Sequence, residues 1–331
     1  MMIDAHLHFV SDSPGALAML RELDLKLLNI CVAYDAQGPW RQREAVPYER
    51  LSRLHPEHYA WITSFDAPEF AAPGFTAAGY AVEVIAGLER DFTEGGAVGC
   101  KIWKNVGMDS KLPDGSWLMP DHDVFDPIYA WLAANDRTLL AHLGEPLQCW
   151  LPLGEPGTPH SDYYRGSPEW HMYGKPGMPQ HAEIIAARDG ILEKHPTLRV
   201  VGAHLGSLEY DVDELAARFE RYPHFAVDTS ARLLDLLWQD QDKVRRFLLQ
   251  YPDRVLFGTD IVARTPYTEM SAEQQEKLLR STRENIETNR RYFCTTESVT
   301  LNTITRTGLG LPPDVTDKLF RANALSWYPG L

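Results

Sequence analysis

Short aliphatic and β-branched runs recur along the chain, separated by longer amphipathic stretches. The runs that read as strands are Ile3–Phe9, Leu27–Ala33, Tyr59–Phe65, Val98–Trp103, Thr138–Leu143, Leu198–Leu205, Phe225–Thr229 and Val255–Gly258. Several, such as Leu27–Ala33, are apolar at nearly every position. Such runs suit parallel strands covered on both faces better than half-exposed antiparallel ones. Helical patterns fill the gaps, and their ends are marked. Ser13-Pro14 supplies an N-cap and a first-turn proline ahead of Ala16–Leu23. Asp126-Pro127 opens a helix that runs to about Ala134. Gln180–Lys194 stops at His195-Pro196, and Gln241–Gln250 stops before Pro252. Eight strands alternating with helices predict one closed parallel (β/α)8 barrel, an α/β TIM barrel, spanning 1–331 as a single domain. The competing arrangement is an open doubly wound sheet. No GxGxxG or GxxxxGK[ST] follows any strand, so the usual phosphate-binding signatures of that fold are missing.

Two stretches exceed what connections need. Gly144–Pro179, after the fifth strand, is rich in Gly, Pro, Trp and Tyr, and long loops in compact domains commonly serve as lids or binding loops. The tail Ile261–Leu331 is expected to be helical at Ala272–Tyr292 and Pro313–Trp327 and to pack on the barrel exterior.

Composition narrows the class. With 32 Lys and Arg against 46 Asp and Glu, the formal charge is −14. That argues against nucleic acid or an anionic membrane as partner, since phosphate binding requires basic patches. It leaves room for a small anionic substrate, because a site's local field can differ from the global charge. Cys31, Cys100, Cys149 and Cys294 form no CxxC pair and suit a reducing compartment, with Cys31 and Cys100 expected to be buried. The N-terminus has no basic region followed by an apolar stretch, and no apolar run approaches the ~20 residues of a membrane span. These features predict a cytoplasmic enzyme acting on a small molecule. They leave a homo-oligomer open.

The candidate chemistry sits at strand ends. His6 and His8 lie late in the first strand, Lys101 late in the fourth, His142 late in the fifth and His204 late in the sixth. Asp260 follows the eighth. All fall at the C-terminal face, where these barrels carry active sites. Side chains two apart on a strand share a face, so His6 and His8 can both reach one cation at about 2.0–2.1 Å. A carboxylate and a further imidazole complete a four-ligand shell with room for water, which a metal such as zinc makes a nucleophile near neutral pH. HxH alone is a weak signal. Further histidines and an aspartate on separate strand ends make it a strong one.

Ile3-Asp4-Ala5-His6-Leu7-His8, Ala141-His142-Leu143-Gly144, Gly202-Ala203-His204-Leu205-Gly206 and Phe257-Gly258-Thr259-Asp260 occur in that order, and Leu319–Ala324 closes the chain. Together they resemble the metal-dependent amidohydrolase superfamily, closest to the branch called amidohydrolase family 2. The resemblance implies that His6, His8 and Asp260 are metal ligands. It implies that His142 and His204 are ligands, or a ligand and a catalytic base. Two arrangements follow from it. In the favoured one-metal form His6, His8, His142 and Asp260 hold the ion, His204 handles substrate or proton, and Lys101 orients an anionic substrate. In the two-metal form a carboxylated Lys101 bridges the ions, with His142 and His204 on the second. Zinc is the first expectation for the metal.

The leading expectation is hydrolysis of an amide, lactone or related ester, with Asp260 or His204 accepting the water's proton and Lys101 in support. The rival is non-oxidative decarboxylation, or hydration, of an aromatic or unsaturated acid on the same residues. A metal-free lactonase and a non-catalytic binding barrel are the remaining alternatives. Candidate substrate residues are Glu145, Asp228 and Arg232 near strand ends, with Arg165, Trp170 and His171 in the long loop. Lys104 is expected to point away from the site. His55, His58, His122, His160, His181, His195 and His224 read as surface residues.

Overall fold

The computed structural model describes residues 1–35 and 38–331. Its strands are β1 Met2–Phe9, β2 Leu25–Ile30, β3 Tyr59–Ser64, β4 Gly99–Ile102, β5 Thr138–Ala141, β6 Val200–Gly202, β7 Phe225–Asp228, β8 Val255–Leu256 and β9 Val262–Ala263. All pair in parallel, in the order β8-β7-β6-β5-β4-β3-β2-β1-β9. The ladder closes on itself: the Ala5 amide donates to Phe257 O at 2.9 Å, and the Asp260 amide to His6 O at 2.8 Å. β8 and β9 are thus one interrupted eighth strand against β1, and the fold is a single-domain (β/α)8 barrel. Its interruption falls at Gly258, Thr259 and the left-handed Asp260 (φ 59°).

The expected helices form, including Pro14–Glu22 with the Ser13 side chain capping the Ala16 amide, Asp126–Ala134, His181–Lys194 and Gln241–Gln250. The strands are shorter than the apolar runs. The sixth ends at Gly202, because the chain turns sharply through left-handed His204 and Leu205. The long loop after β5 is built of short turns and one helix, Ser161–Gly166. β10 Ser298–Leu301 and β11 Ile304–Thr307 form an antiparallel hairpin that was not expected. Its alternating Thr and Ser residues disguise strands as loop. No helix among the described residues is long and apolar enough to cross a membrane.

Two apolar layers hold the barrel. The outer one lies between strands and helices. The inner one joins Ile3, Ala5, Leu28, Leu140, Val201 and Leu256, and the C-terminal residues Ala324, Trp327 and Tyr328 belong to it. Here the structure corrects the sequence reading. Helix Ala272–Cys294 does pack outside, against Pro14–Glu22. The last segment instead plugs the barrel's N-terminal end. Asn323 Nδ2 donates to Val255 O at 2.7 Å, Trp327 Nε1 to Asp253 O at 3.0 Å and Thr138 Oγ1 to Trp327 O. Ala324 and Trp327 of the expected amphipathic helix, with Tyr328 just past its end, serve the interior of the barrel.

Candidate metal centre

β1 reaches the site through a bulge. Met2, Ile3 and Asp4 pair in register with Leu25, Lys26 and Leu27, whereas Leu7 pairs with Asn29, so β1 carries one extra residue. Ile3 and Ala5 consequently face inward, and after the bulge His6 and His8 do too, while Leu7 and Phe9 join the outer layer. A regular strand would have sent one pair or the other to the wrong side. His142 needs no such device, being two residues beyond inward-facing Leu140 on β5. His204 lies beyond the end of β6, in the turn with φ 59°. Gly258 lets the eighth strand come this close: a Cβ there would lie 3.0 Å from His6 Cβ and 3.2 Å from Ser230 Cβ.

The residues converge. Asp260 Oδ1 lies 3.9 Å from His6 Nε2 and 3.6 Å from His8 Nε2. Lys101 Nζ is 3.4 Å from His6 Nε2. The His204 ring centroid is 4.8 Å from that of His6 and 4.4 Å from that of His142. All six are buried except Asp260, whose side chain is 26% exposed.

Hydrogen bonds fix which nitrogens face the centre. His6 Nδ1 donates to Asp228 Oδ2 at 2.8 Å, which leaves the Nε2 lone pair pointing at Asp260. His204 Nδ1 donates to Ser230 O at 2.9 Å, which leaves its Nε2 with a free lone pair. Burial, reinforced by neighbouring positive groups, holds His8, His142 and His204 well below the ordinary imidazole pKa, so these rings favour the neutral form. Burial alone would push the Asp228 carboxyl up. The facing His6 and His204 and the hydrogen bonds from His6 and Ser230 overcome it and hold the group well below the usual carboxylate range. Burial brings Lys101 down to about 8 against the pull of Asp260 and more distant carboxylates. Two imidazoles and a carboxylate, each with a ligand atom within 4.8 Å of the others, make a donor set that fits a divalent cation.

Asp228 therefore sits beneath the cluster as an orienting group, since it also accepts from the His204 amide at 2.9 Å and from Ser230 Oγ; it does not line the cavity. Ser230 went unnoticed because a lone serine after a strand carries no sequence signal. Two adjoining cavities, of about 340 and 360 Å³, meet at His142, His204 and Asp260. The first is walled by Tyr34, Trp103, Tyr163 and Trp170 and carries Lys101, Lys104, Arg43 and Arg264. Arg264 is held by buried Glu44 at 2.9 Å. The second carries Glu145, Arg232, His160 and Asp235.

Several expectations about the periphery change. Lys104 is buried, faces the cavities and pairs with Glu145, which also accepts from Tyr164 OH at 2.8 Å. The residues after β4 form an irregular turn, so strand parity no longer governs Lys104. Arg165 points away, bonded to Asp162 at 3.1 Å and to Gly154 O. His171 bonds Leu151 O at 3.0 Å and stacks on Tyr164, outside the cavity walls. Of the histidines read as surface, His58 and His181 are buried, bonded to Leu25 O and Ser207 O, and His160 is nearly so, bonded to Asp235.

A family model described as amidohydrolase matches residues 3–330. Comparison with curated proteins finds no match. Among solved structures, 2,6-dihydroxybenzoate decarboxylase from Rhizobium is 16% identical, with TM-score 0.56 over 99% of this chain and 98% of its own. A 4-oxalomesaconate hydratase from Rhodopseudomonas palustris is 14% identical, with TM-score 0.53 over 100% of this chain and 96% of its own. A 5-carboxyvanillate decarboxylase from Novosphingobium aromaticivorans, with bound manganese, is 14% identical, with TM-score 0.51 over 99% of this chain and 97% of its own. At these identities the likeness is one of fold.

Proposed function

The chain belongs to the amidohydrolase family, and from that premise we propose that it is a metal-dependent hydrolase opening an amide, lactone or related ester bond of a small acid. The observation that carries this reading is the convergence of His6 Nε2, His8 Nε2 and Asp260 Oδ1 on one point at the cavity floor. We assign His6, His8, His142 and Asp260 as ligands of one cation, zinc first and manganese as the alternative. A cation there supplies charge that polarises a substrate carbonyl and acidifies a water.

The chain's own groups do the rest. Asp260, reachable from the cavity, takes the attacking water's proton and delivers it to the leaving group, while the Nε2 lone pair of neutral His204 accepts a hydrogen bond that orients the water or substrate. Asp228 keeps His6 in the tautomer a ligand needs. Lys101 lies against His6, where its charge meets a substrate oxygen. Arg264, braced on Glu44, receives a carboxylate, and the Trp103, Trp170, Tyr34 and Tyr163 rings flank a planar body.

That aromatic and cationic wall also favours a second reading, decarboxylation of an aromatic acid. It fits the acids named for the two decarboxylases of like fold. The test is to strip the protein with chelator, restore zinc or manganese, and offer lactones, esters and amides of aromatic acids beside hydroxybenzoates. Metal-restored ring opening or acid release supports hydrolysis. Carbon dioxide release without hydrolysis replaces it with the second reading. Turnover that survives complete stripping overturns both and leaves a metal-free lactonase.

A further inference from the structure

We propose that His160, Glu209 and Asp235 form a second divalent-cation site, separate from the centre at His6 and His8, that pins the long loop after β5 to the barrel mouth. The three come from different connections: His160 from the loop after β5, Glu209 from the loop after β6, and Asp235 from helix Leu233–Trp238 after β7. One ligand atom from each lies within 4.8 Å of the others. His160 and Asp235 line the same 360 Å³ cavity that His142, His204 and Asp260 border from the other side.

The carboxylates are incompletely used. Glu209 is 2% exposed and Asp235 5%. Glu209 Oε1 accepts from the Leu147 amide at 2.9 Å, and Asp235 Oδ1 lies 2.7 Å from His160 Nε2, a nitrogen that ligates a cation in the Nδ1–H tautomer. Glu209 Oε2 and Asp235 Oδ2 are buried without a hydrogen-bond partner. A buried carboxylate oxygen left this way costs stability, so the arrangement calls for a positive species. The buried Arg232 guanidinium lies near enough for its charge to act on both carboxylates, but it does not bond the two open oxygens. Its side chain bonds Ala231 O at 2.9 Å, and it makes no ion pair with either carboxylate among the described residues.

The dimensions select the ligand. The open oxygens are closed to anything the size of water, so an organic group cannot enter between them. Ligand atoms of a tetrahedral cation stand about 3.4 Å apart, within the spacing seen here. One imidazole and two carboxylates suit zinc or manganese better than calcium, whose shells are built of oxygen alone. Tying a loop of this length at His160 restricts it far more than its own short turns do.

The test is zinc stoichiometry by equilibrium dialysis of the full chain, with wild type, His8→Ala, Asp235→Asn and Glu209→Gln compared. The site predicts that His8→Ala still binds a zinc that Asp235→Asn loses. It also predicts that Glu209→Gln weakens this zinc by at least about ten-fold. Proteolysis within 151–177 should slow when zinc is added to wild type or His8→Ala, and not in Asp235→Asn. If His8→Ala binds no zinc, or Asp235→Asn and Glu209→Gln both bind as wild type does, the proposal is overturned. Should the His8-dependent zinc be missing while the Asp235-dependent one remains, the proposed function falls and this site stands. A folded far-UV spectrum of each variant excludes loss by unfolding.

Discussion

The two ends of the barrel are built from opposite materials. At the N-terminal end Trp327, Tyr328 and Ala324 fill the interior, the strands are regular, and backbone groups are tied by Asn323 and Thr138. At the C-terminal end the interior holds histidines and carboxylates, and the backbone departs from regularity wherever one must be aimed. β1 bulges before His6, and His204 and Asp260 adopt left-handed φ. Such conformations cost about 1–3 kcal/mol each and survive where the surroundings enforce them. The closed end supplies that enforcement. One end stabilises the barrel, and the other uses part of that stability to hold polar groups in unfavourable places.

The sharpest test removes a side chain from the open end. Asp260→Asn, or His8→Ala, should lower kcat/KM by about a thousand-fold or more while the protein remains folded. Turnover alongside thermal unfolding checks both halves. A variant as active as wild type would dismantle the proposed centre. The mirror experiment is Trp327→Ala. Emptying the plug should cost about 3–5 kcal/mol in denaturant unfolding, with kcat of the folded fraction within about three-fold of wild type. A large kcat defect would mean that the ends are not separable.

Gly258→Ala should break the division. Its methyl group would press on His6 Cβ and Ser230 Cβ at 3.0 and 3.2 Å, so one or both must shift. Overpacking of this kind costs about 1–3 kcal/mol, and a shift of His6 should also lower kcat/KM by about ten-fold or more. Loss of one property without the other would show that the contact relaxes.

The barrel was legible because largely apolar strands alternate with capped helices, and that pattern has few other solutions. The six central residues were legible because strand ends put them on one face. Orientation was less so. HxH shows that two histidines share a face, but only the bulge decides that the face is inward, and a bulge has no marker in Asp4-Ala5-His6. Asp228 looked like a cavity residue by strand position, yet His6 draws it underneath. Lys104 was dismissed on parity that ended with β4, and Arg264 was overlooked because the strand it follows is only two residues long. The last helix misled for a different reason: an apolar stripe specifies burial, not which surface it will be buried against.

The smallest expected effect concerns acid, and it sharpens the comparison by asking what the open end's neutral histidines cost. His181, the first residue of helix His181–Lys194, donates Nε2–H to Ser207 O at 2.8 Å and meets Trp150 edge-on at 5.2 Å. Burial lowers its pKa, partly offset by the Ser207 hydrogen bond. The unfolded chain then binds the proton more readily than the folded one, so the stability this neutral ring contributes is present above about 6.5 and is lost as pH falls below it. His8, His142 and His204 act in the same direction. In chelator these rings pull urea midpoints down from pH 7.5 to 5.5, against the opposite pull of Asp4 and Glu209, whose carboxyls burial raises to about 7 and about 8. His181→Gln keeps a donor for Ser207 but has no proton to gain, so this downward pull should be weaker than in wild type while the other histidines preserve the rest. Parallel profiles would show that His181 opens locally to take its proton, which would place the loop after β5 outside the rigid part of the mouth.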